Sequence, residues 1–269
     1  MKNNIILRDI SYGNNERHRL DICIPEKPKS KNGVILCIHG GGWNQGDKTA
    51  HRDDMQYFCE HGYVCASMNY RFVAENINIF DELDDVSAAL QAIKVQCKEY
   101  GLDIKKVILS GGSAGGHLSL MFAYTRVEES PVKPVAACVY CPPVKCWTPD
   151  FLLGISGEFE SWKYQILSKC CGLHINSENF LCDEQQSALK KMSPMEYISE
   201  KCVPTAVFHG KHDDLVPFKH TLEFLKELTE ANVKNNLLVF EKSGHVLDKD
   251  PEMWSKTRGI MESYAEILF

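Results

Sequence analysis

The sequence predicts an α/β fold, a mostly parallel central sheet covered by helices on both faces, and three observations carry that expectation. Short apolar runs such as Val34-Ile35-Leu36-Cys37-Ile38 and Val107-Ile108-Leu109 lack the polar alternation of a half-exposed strand, so they read as strands buried on both faces. Stretches with apolar residues three and four apart separate them, the order that builds crossover helices between parallel strands. The length of 269 residues suits one such domain.

Taken in order, Ile5–Ile10 and Arg19–Ile24 read as two strands around a turn at Gly13-Asn14-Asn15, and Pro25 and Pro28 mark the loop that follows. Val34–Ile38 is a buried strand ending in His39-Gly40-Gly41-Gly42-Trp43. A helix over about Arg52–His61, a strand Val64–Asn69 and a loop containing Arg71 come next. Asp81 to about Tyr100 is the longest helical pattern; Leu83, Val86, Leu90, Ile93 and Cys97 form its stripe, and Gly101 ends it. Strand Val107–Leu109 breaks into glycines around a serine, and helix-forming residues resume through Tyr124. Val135–Tyr140 is a strand closed by Pro142-Pro143. From 145 to about 201 the pattern loosens into aromatics and short amphipathic pieces, which read as a lid or cap inserted into a single domain spanning 1–269. Strand Val203–Phe208, helix Phe218–Ala231, strand Leu237–Phe240 and amphipathic helix Glu252–Leu268 complete the chain.

A net charge of −6 and a pI near 5.9, with scattered lysines and arginines, give no basis for nucleic-acid binding. No apolar run reaches membrane-spanning length, and Ile5-Ile6-Leu7 is too short for a signal peptide, so no membrane association and a cytoplasmic location are expected. Oligomeric state is not written in the sequence. Of the 12 cysteines, Cys37 and Cys65 fall in buried strands and Cys59 and Cys97 on helices, where they are expected as reduced, small apolar residues. Cys138-Val139-Tyr140-Cys141 has redox or zinc spacing but lies along a strand with no second pair, and reads as core thiols. Cys170-Cys171 sits in the irregular stretch and gains no role.

The chemistry centres on Gly111-Gly112-Ser113-Ala114-Gly115, a strand–turn–helix with a serine at its tip. A serine hydroxyl is hardly ionised at neutral pH, so it needs a histidine base and a carboxylate to hold that histidine's tautomer. Two loops just past strand ends offer them: His209-Gly210-Lys211-His212-Asp213-Asp214-Leu215-Val216-Pro217 and Glu241-Lys242-Ser243-Gly244-His245. In a parallel sheet such loops lie on one edge and can converge. No His-Glu-x-x-His or similar ligand pattern occurs, so neither metal nor cofactor is expected.

In this order the four motifs, His39-Gly40-Gly41-Gly42-Trp43, the serine elbow through Gly116-His117, the acid loop and Ser243-Gly244-His245, resemble the α/β-hydrolase superfamily. The likeness is in particular to its small esterase and lipase branch with a His-Gly-Gly-Gly loop, over about Arg19 to Leu268. The resemblance implies an α/β-hydrolase fold with Ser113 as nucleophile, His245 as base and, from the register of the family's acid loop, Asp213 and not Asp214 as the acid. It further implies oxyanion donors at the Gly41, Gly42 and Ala114 N–H groups, with Trp43 N–H as the alternative where the loop slides by one. His39 is expected to brace the glycine loop, His117 to pack in the elbow helix, and His209 to orient backbone near its strand end. Trp43, Phe151, Trp162 and Val216 are candidate pocket walls.

The function expected is a serine carboxylesterase acting on short, acetyl-type esters of small molecules, acetylated sugars or xylan fragments among them. A kynurenine-formamidase-like amidase or a peptidase is the alternative, and the lack of a large N-terminal domain weighs against the peptidase. A non-catalytic binding protein on the same fold stands further off, because such proteins typically lose a triad residue.

Overall fold

A computed structural model describes residues 3–153 and 157–269. Eight strands, β1 (Ile5–Ser11), β2 (Arg19–Ile24), β3 (Gly33–Ile38), β4 (Val64–Met68), β5 (Lys106–Gly112), β6 (Lys133–Tyr140), β7 (Thr205–Gly210) and β8 (Asn235–Phe240), form one sheet in the order β1-β2-β4-β3-β5-β6-β7-β8. The first two strands are antiparallel to their neighbours, and β4 onward are parallel. β2 through β7 are almost wholly buried, whereas β1 shows a largely exposed edge, so the uninterrupted apolar runs are the strands sandwiched between helices.

Helices α1 (Arg52–Glu60) and α8 (Met253–Leu268) cover one face, where Met55 and Phe58 join Met261 and Ala265 in an apolar cluster. The other face carries α2 (Ile79–Lys98), α3 (Ala114–Thr125) and α7 (Phe218–Glu230). α2 begins two residues before the Asp81 expected from its apolar stripe. Asn78 accepts from Phe80 N–H and Asp81 accepts from Asn78 N–H, a reciprocal cap that lets Ile79 enter the first turn and is generally worth about 1 kcal/mol. β7 likewise begins at Thr205 instead of Val203, because Pro204 has no N–H to give the ladder.

Between β6 and β7 the chain forms α4 (Pro149–Leu153), α5 (Glu160–Cys171), α6 (Asp183–Lys191) and a 3-10 turn at Pro194–Tyr197. Phe151, Ile166, Leu167 and Leu189 from this segment join the apolar cluster that α2, α3 and α7 form on the sheet.

One cysteine expectation needs correction. Cys59 is not a lone helix thiol: it forms a disulfide with Cys23, tying α1 to β2 with Cα atoms 5.9 Å apart. The two are 36 residues apart in sequence, and only the packing of α1 on the sheet brings them together. Cys37, Cys65, Cys97, Cys138 and Cys141 are buried free thiols. No described helix is long and apolar enough to cross a membrane.

Candidate active site

Ser113 sits between β5 and α3 with φ 52° and ψ −121°, a conformation that strains any residue with a side chain. The turn is tight because α3 starts against the neighbouring strand. A side chain at Gly115 would run into the carbonyl oxygens of Ile38 and His39 at the end of β3. The obstruction thus comes chiefly from the adjacent strand, a tertiary contact, and not only from the strand and helix that the elbow joins.

The edge where β3, β5, β7 and β8 end collects the other polar groups. Ser113 Oγ lies 2.9 Å from His245 Nε2, and His245 Nδ1 lies 2.7 Å from Asp213 Oδ2. Asp213 is 1 % exposed, and its second oxygen accepts the N–H groups of Leu215 (3.0 Å) and Val216 (2.8 Å). Burial works against its charge, but hydrogen bonds from His209 and His245 prevail and hold the carboxyl well below the usual range. It is Asp213, and not Asp214, that meets the imidazole. A serine hydroxyl on an imidazole whose far nitrogen faces a buried carboxylate can be deprotonated as it attacks a carbonyl.

The glycine-rich loop after β3 turns through three successive positive φ angles, 111° at Gly41, 55° at Gly42 and 60° at Trp43. Asn44 and Gln45 N–H close it on the Gly41 carbonyl at 3.2 and 3.0 Å. At Gly42 a side chain would need the left-handed conformation and would also meet the Trp162 ring at 2.5 Å. Under this loop His39 stacks on Tyr70 at 4.3 Å, donates from Nδ1 to the Gly40 carbonyl (2.7 Å) and accepts from Arg17 (3.2 Å). Burial lowers its pKa to about 4, so it is neutral and suited to this bracing.

Three of the four pocket-wall expectations, Trp43, Val216 and Phe151, are corrected. The Trp43 side chain is 3 % exposed and turns inward, its Nε1–H donating to His117 Nδ1 at 3.1 Å. His117 in turn donates from Nε2 to the Met192 carbonyl at 2.6 Å. Val216, 2 % exposed, serves the acid loop through its backbone. Phe151 is also buried, in the core cluster. The cavity above Ser113, about 590 Å³, is lined by Trp162, as expected, and by Leu215, Tyr140 and Trp254, with Asp54 and His51 among its polar lining. Asp54 is held by Arg258 at 2.8 and 3.0 Å and lies 3.6 Å from His51.

Sequence reasoning missed Asp54 and His51 on the cavity and the side-chain partners of the triad loops, whereas the expected role of His209 in orienting backbone is met at the Val216 carbonyl. His209 Nε2 lies 3.1 Å from both Asp213 Oδ2 and the Val216 carbonyl, while its Nδ1 pairs with the Thr221 hydroxyl at 2.8 Å. Asp250 accepts from Ser243 Oγ at 2.6 Å and so shapes the loop carrying His245. No local signal marks these partners, which lie on other elements or across a turn. Cys141 completes a buried trio with His209 and Asp213, their ligand-type atoms within 4.8 Å. The Asp213 oxygens and His209 nitrogens are already spent on hydrogen bonds, and burial pushes the Cys141 thiol well up, so the trio fits a neutral thiol packed under a carboxylate better than a metal site.

A mostly parallel eight-stranded sheet with a strained serine at one strand's carboxyl end, facing a histidine and an aspartate from later loops, defines an α/β-hydrolase. Esterase B from Lactobacillus rhamnosis matches it with a TM-score of 0.77 over 98 % of this chain and 85 % of that one, at 19 % identity, a likeness of fold. Within that fold the chain belongs to the BD-FAE family, whose model matches residues 20–228. Among curated relatives, Probable carboxylic ester hydrolase LipM of Mycobacterium tuberculosis is 30 % identical over 236 residues, covering 83 % of this chain and 52 % of LipM. Probable isoprenylcysteine alpha-carbonyl methylesterase ICME of Oryza sativa is 27 % identical over 257 residues, covering 91 % of this chain and 60 % of that protein. The chain spans little more than half the length of these relatives.

Proposed function

We propose that this chain is a serine carboxylesterase that hydrolyses short-chain acyl esters of small molecules through an acyl-enzyme. The observation that carries the reading is the unbroken line from Ser113 Oγ to His245 at 2.9 Å and on to Asp213 at 2.7 Å. Ser113 Oγ attacks the ester carbonyl as His245 Nε2 takes its proton, and Asp213 stabilises the imidazolium. Negative charge on the carbonyl oxygen is met by the N–H groups of Gly41, Gly42 and Ala114, where loss of one donor generally costs ~10²–10³ in rate. His245 then protonates the leaving alcohol, and water, deprotonated by the same imidazole, releases the acid.

The ester reading draws support from the names of the relatives, a carboxylic ester hydrolase and a methylesterase. Trp162 lies against Gly42 and lines the cavity, which in this reading favours a short acyl group on that side. Asp54 and His51 in the cavity lining suit an alcohol carrying hydroxyls, as in acetylated sugars or xylan fragments. The segment 145–201 acts in this reading as a cap that supplies Trp162.

Initial rates on p-nitrophenyl esters of two to twelve carbons, beside S113A and an N-formylkynurenine assay, test the proposal. Acetate turnover that falls with chain length and vanishes in S113A is expected. Formamide cleavage without ester turnover would move the assignment to an amidase.

A further inference from the structure

We propose that Lys163 is a positioning residue, tying α5 to the acid loop through one peptide group and thereby holding Asp213 against His245. Its side chain is 1 % exposed, and its ammonium donates to two carbonyls, those of Phe151 and Leu215, the latter at 2.7 Å. The Phe151 ring lies under it at 4.6 Å. Its direct partners are therefore carbonyl dipoles, an unusual setting for a buried cation.

The Leu215 carbonyl and the Val216 N–H are two ends of the same peptide group. That N–H donates to Asp213 Oδ1 at 2.8 Å. One amide is therefore clamped between an ammonium and a carboxylate, and a cation on its oxygen strengthens the donor at its other end. With Oδ1 fixed, Oδ2 of Asp213 stays aimed at His245 Nδ1, 2.7 Å away. The charges of Asp213, Asp214 and Asp150 also favour the cation, yet burial dominates and brings its pKa down to about 8.

The residue before it acts on the other half of the site. Trp162 lies against Gly42 in the loop after β3, so neighbouring residues of α5 reach both the glycine loop and the acid loop. On this view α5 is part of the catalytic framework, and removing it would loosen the triad as well as uncover the pocket.

The test compares wild type with K163M and K163Q. It reads kcat and KM on p-nitrophenyl acetate, the rate of fluorophosphonate labelling, and the downfield NMR resonance of the proton between His245 and Asp213. Expected in K163M are a kcat lower by about tenfold or more with KM changed less than about twofold, slower labelling by a similar factor, and a displaced or broadened resonance. K163Q, which keeps an N–H donor without the charge, should fall between, and decides the matter if K163M does not fold. Wild-type kcat and resonance in either variant would overturn the proposal, as would a lower melting temperature with kcat per labelled serine unchanged. The kinetic readouts rest on the esterase reading. If wild type neither turns over ester nor labels, that reading fails, and the resonance alone decides the role of Lys163.

Discussion

His209 Nε2 stands 3.1 Å from Asp213 Oδ2, the same oxygen that His245 Nδ1 reaches at 2.7 Å. A carboxylate fully removed from water keeps its charge only where donors replace the lost solvent, and His209 joins His245, Leu215 and Val216 in doing so. Replacing it by phenylalanine keeps most of the volume and removes the bond. We expect H209F to lower kcat on p-nitrophenyl acetate by about tenfold with little change in KM. A raised KM with unchanged kcat would show that His209 shapes the pocket and not the acid.

Acid should destabilise the fold through a buried histidine. Burial lowers the His117 pKa from 6.5 to about 4, so between those values the unfolded chain binds a proton that the folded chain refuses. The contribution to stability is complete above about pH 6.5 and is lost as pH falls toward about 4, by up to roughly 3 kcal/mol. Urea unfolding at pH 7.5 and 4.5 checks this. H117Q should be less stable than wild type at the higher pH yet lose less on acidification.

Gly42 should resist its smallest replacement. G42A adds a methyl group that must displace Trp162 while holding φ 55°. If the N–H groups of this loop stabilise the oxyanion, a small shift removes a donor, and kcat should fall by about 10²–10³. Combining G42A with W162A relieves the contact. Partial recovery in the double variant assigns the loss to the collision, and no recovery assigns it to the backbone.

The Cys23–Cys59 disulfide makes the cytoplasmic expectation testable, since reducing compartments keep such pairs open. Denatured protein from the native host, titrated with a thiol reagent, should give 10 thiols if the bond persists and 12 if it does not. The lower count, raised by reductant, would argue for an oxidising location.

What could be read from the sequence was local or ordered along the chain. The passage from Val107-Ile108-Leu109 through Ser113 to α3 is a continuous pattern, and the order Ser113, Asp213, His245 needs only that strand ends share an edge. Side-chain direction was not legible. Trp43 adjoins the glycine loop in sequence, but its positive φ and the acceptor on His117 turn it into the core, so Leu215 and Trp254 wall the cavity in its stead. Pairings across elements were equally hidden: Cys23 with Cys59 and Lys163 with Leu215 depend on how distant segments stack. The elements of 145–201 blurred because short helices packed on one cluster carry weak periodicity.

The most direct measurement of the central claim is intact and peptide mass spectrometry after brief exposure to p-nitrophenyl acetate, with a fluorophosphonate as a second probe. A single adduct on the peptide containing Ser113, formed in wild type, absent in S113A and strongly slowed in H245A, is the expected result. An unmodified Ser113 under conditions of ester turnover, or an adduct on another residue, would contradict the acyl-enzyme account.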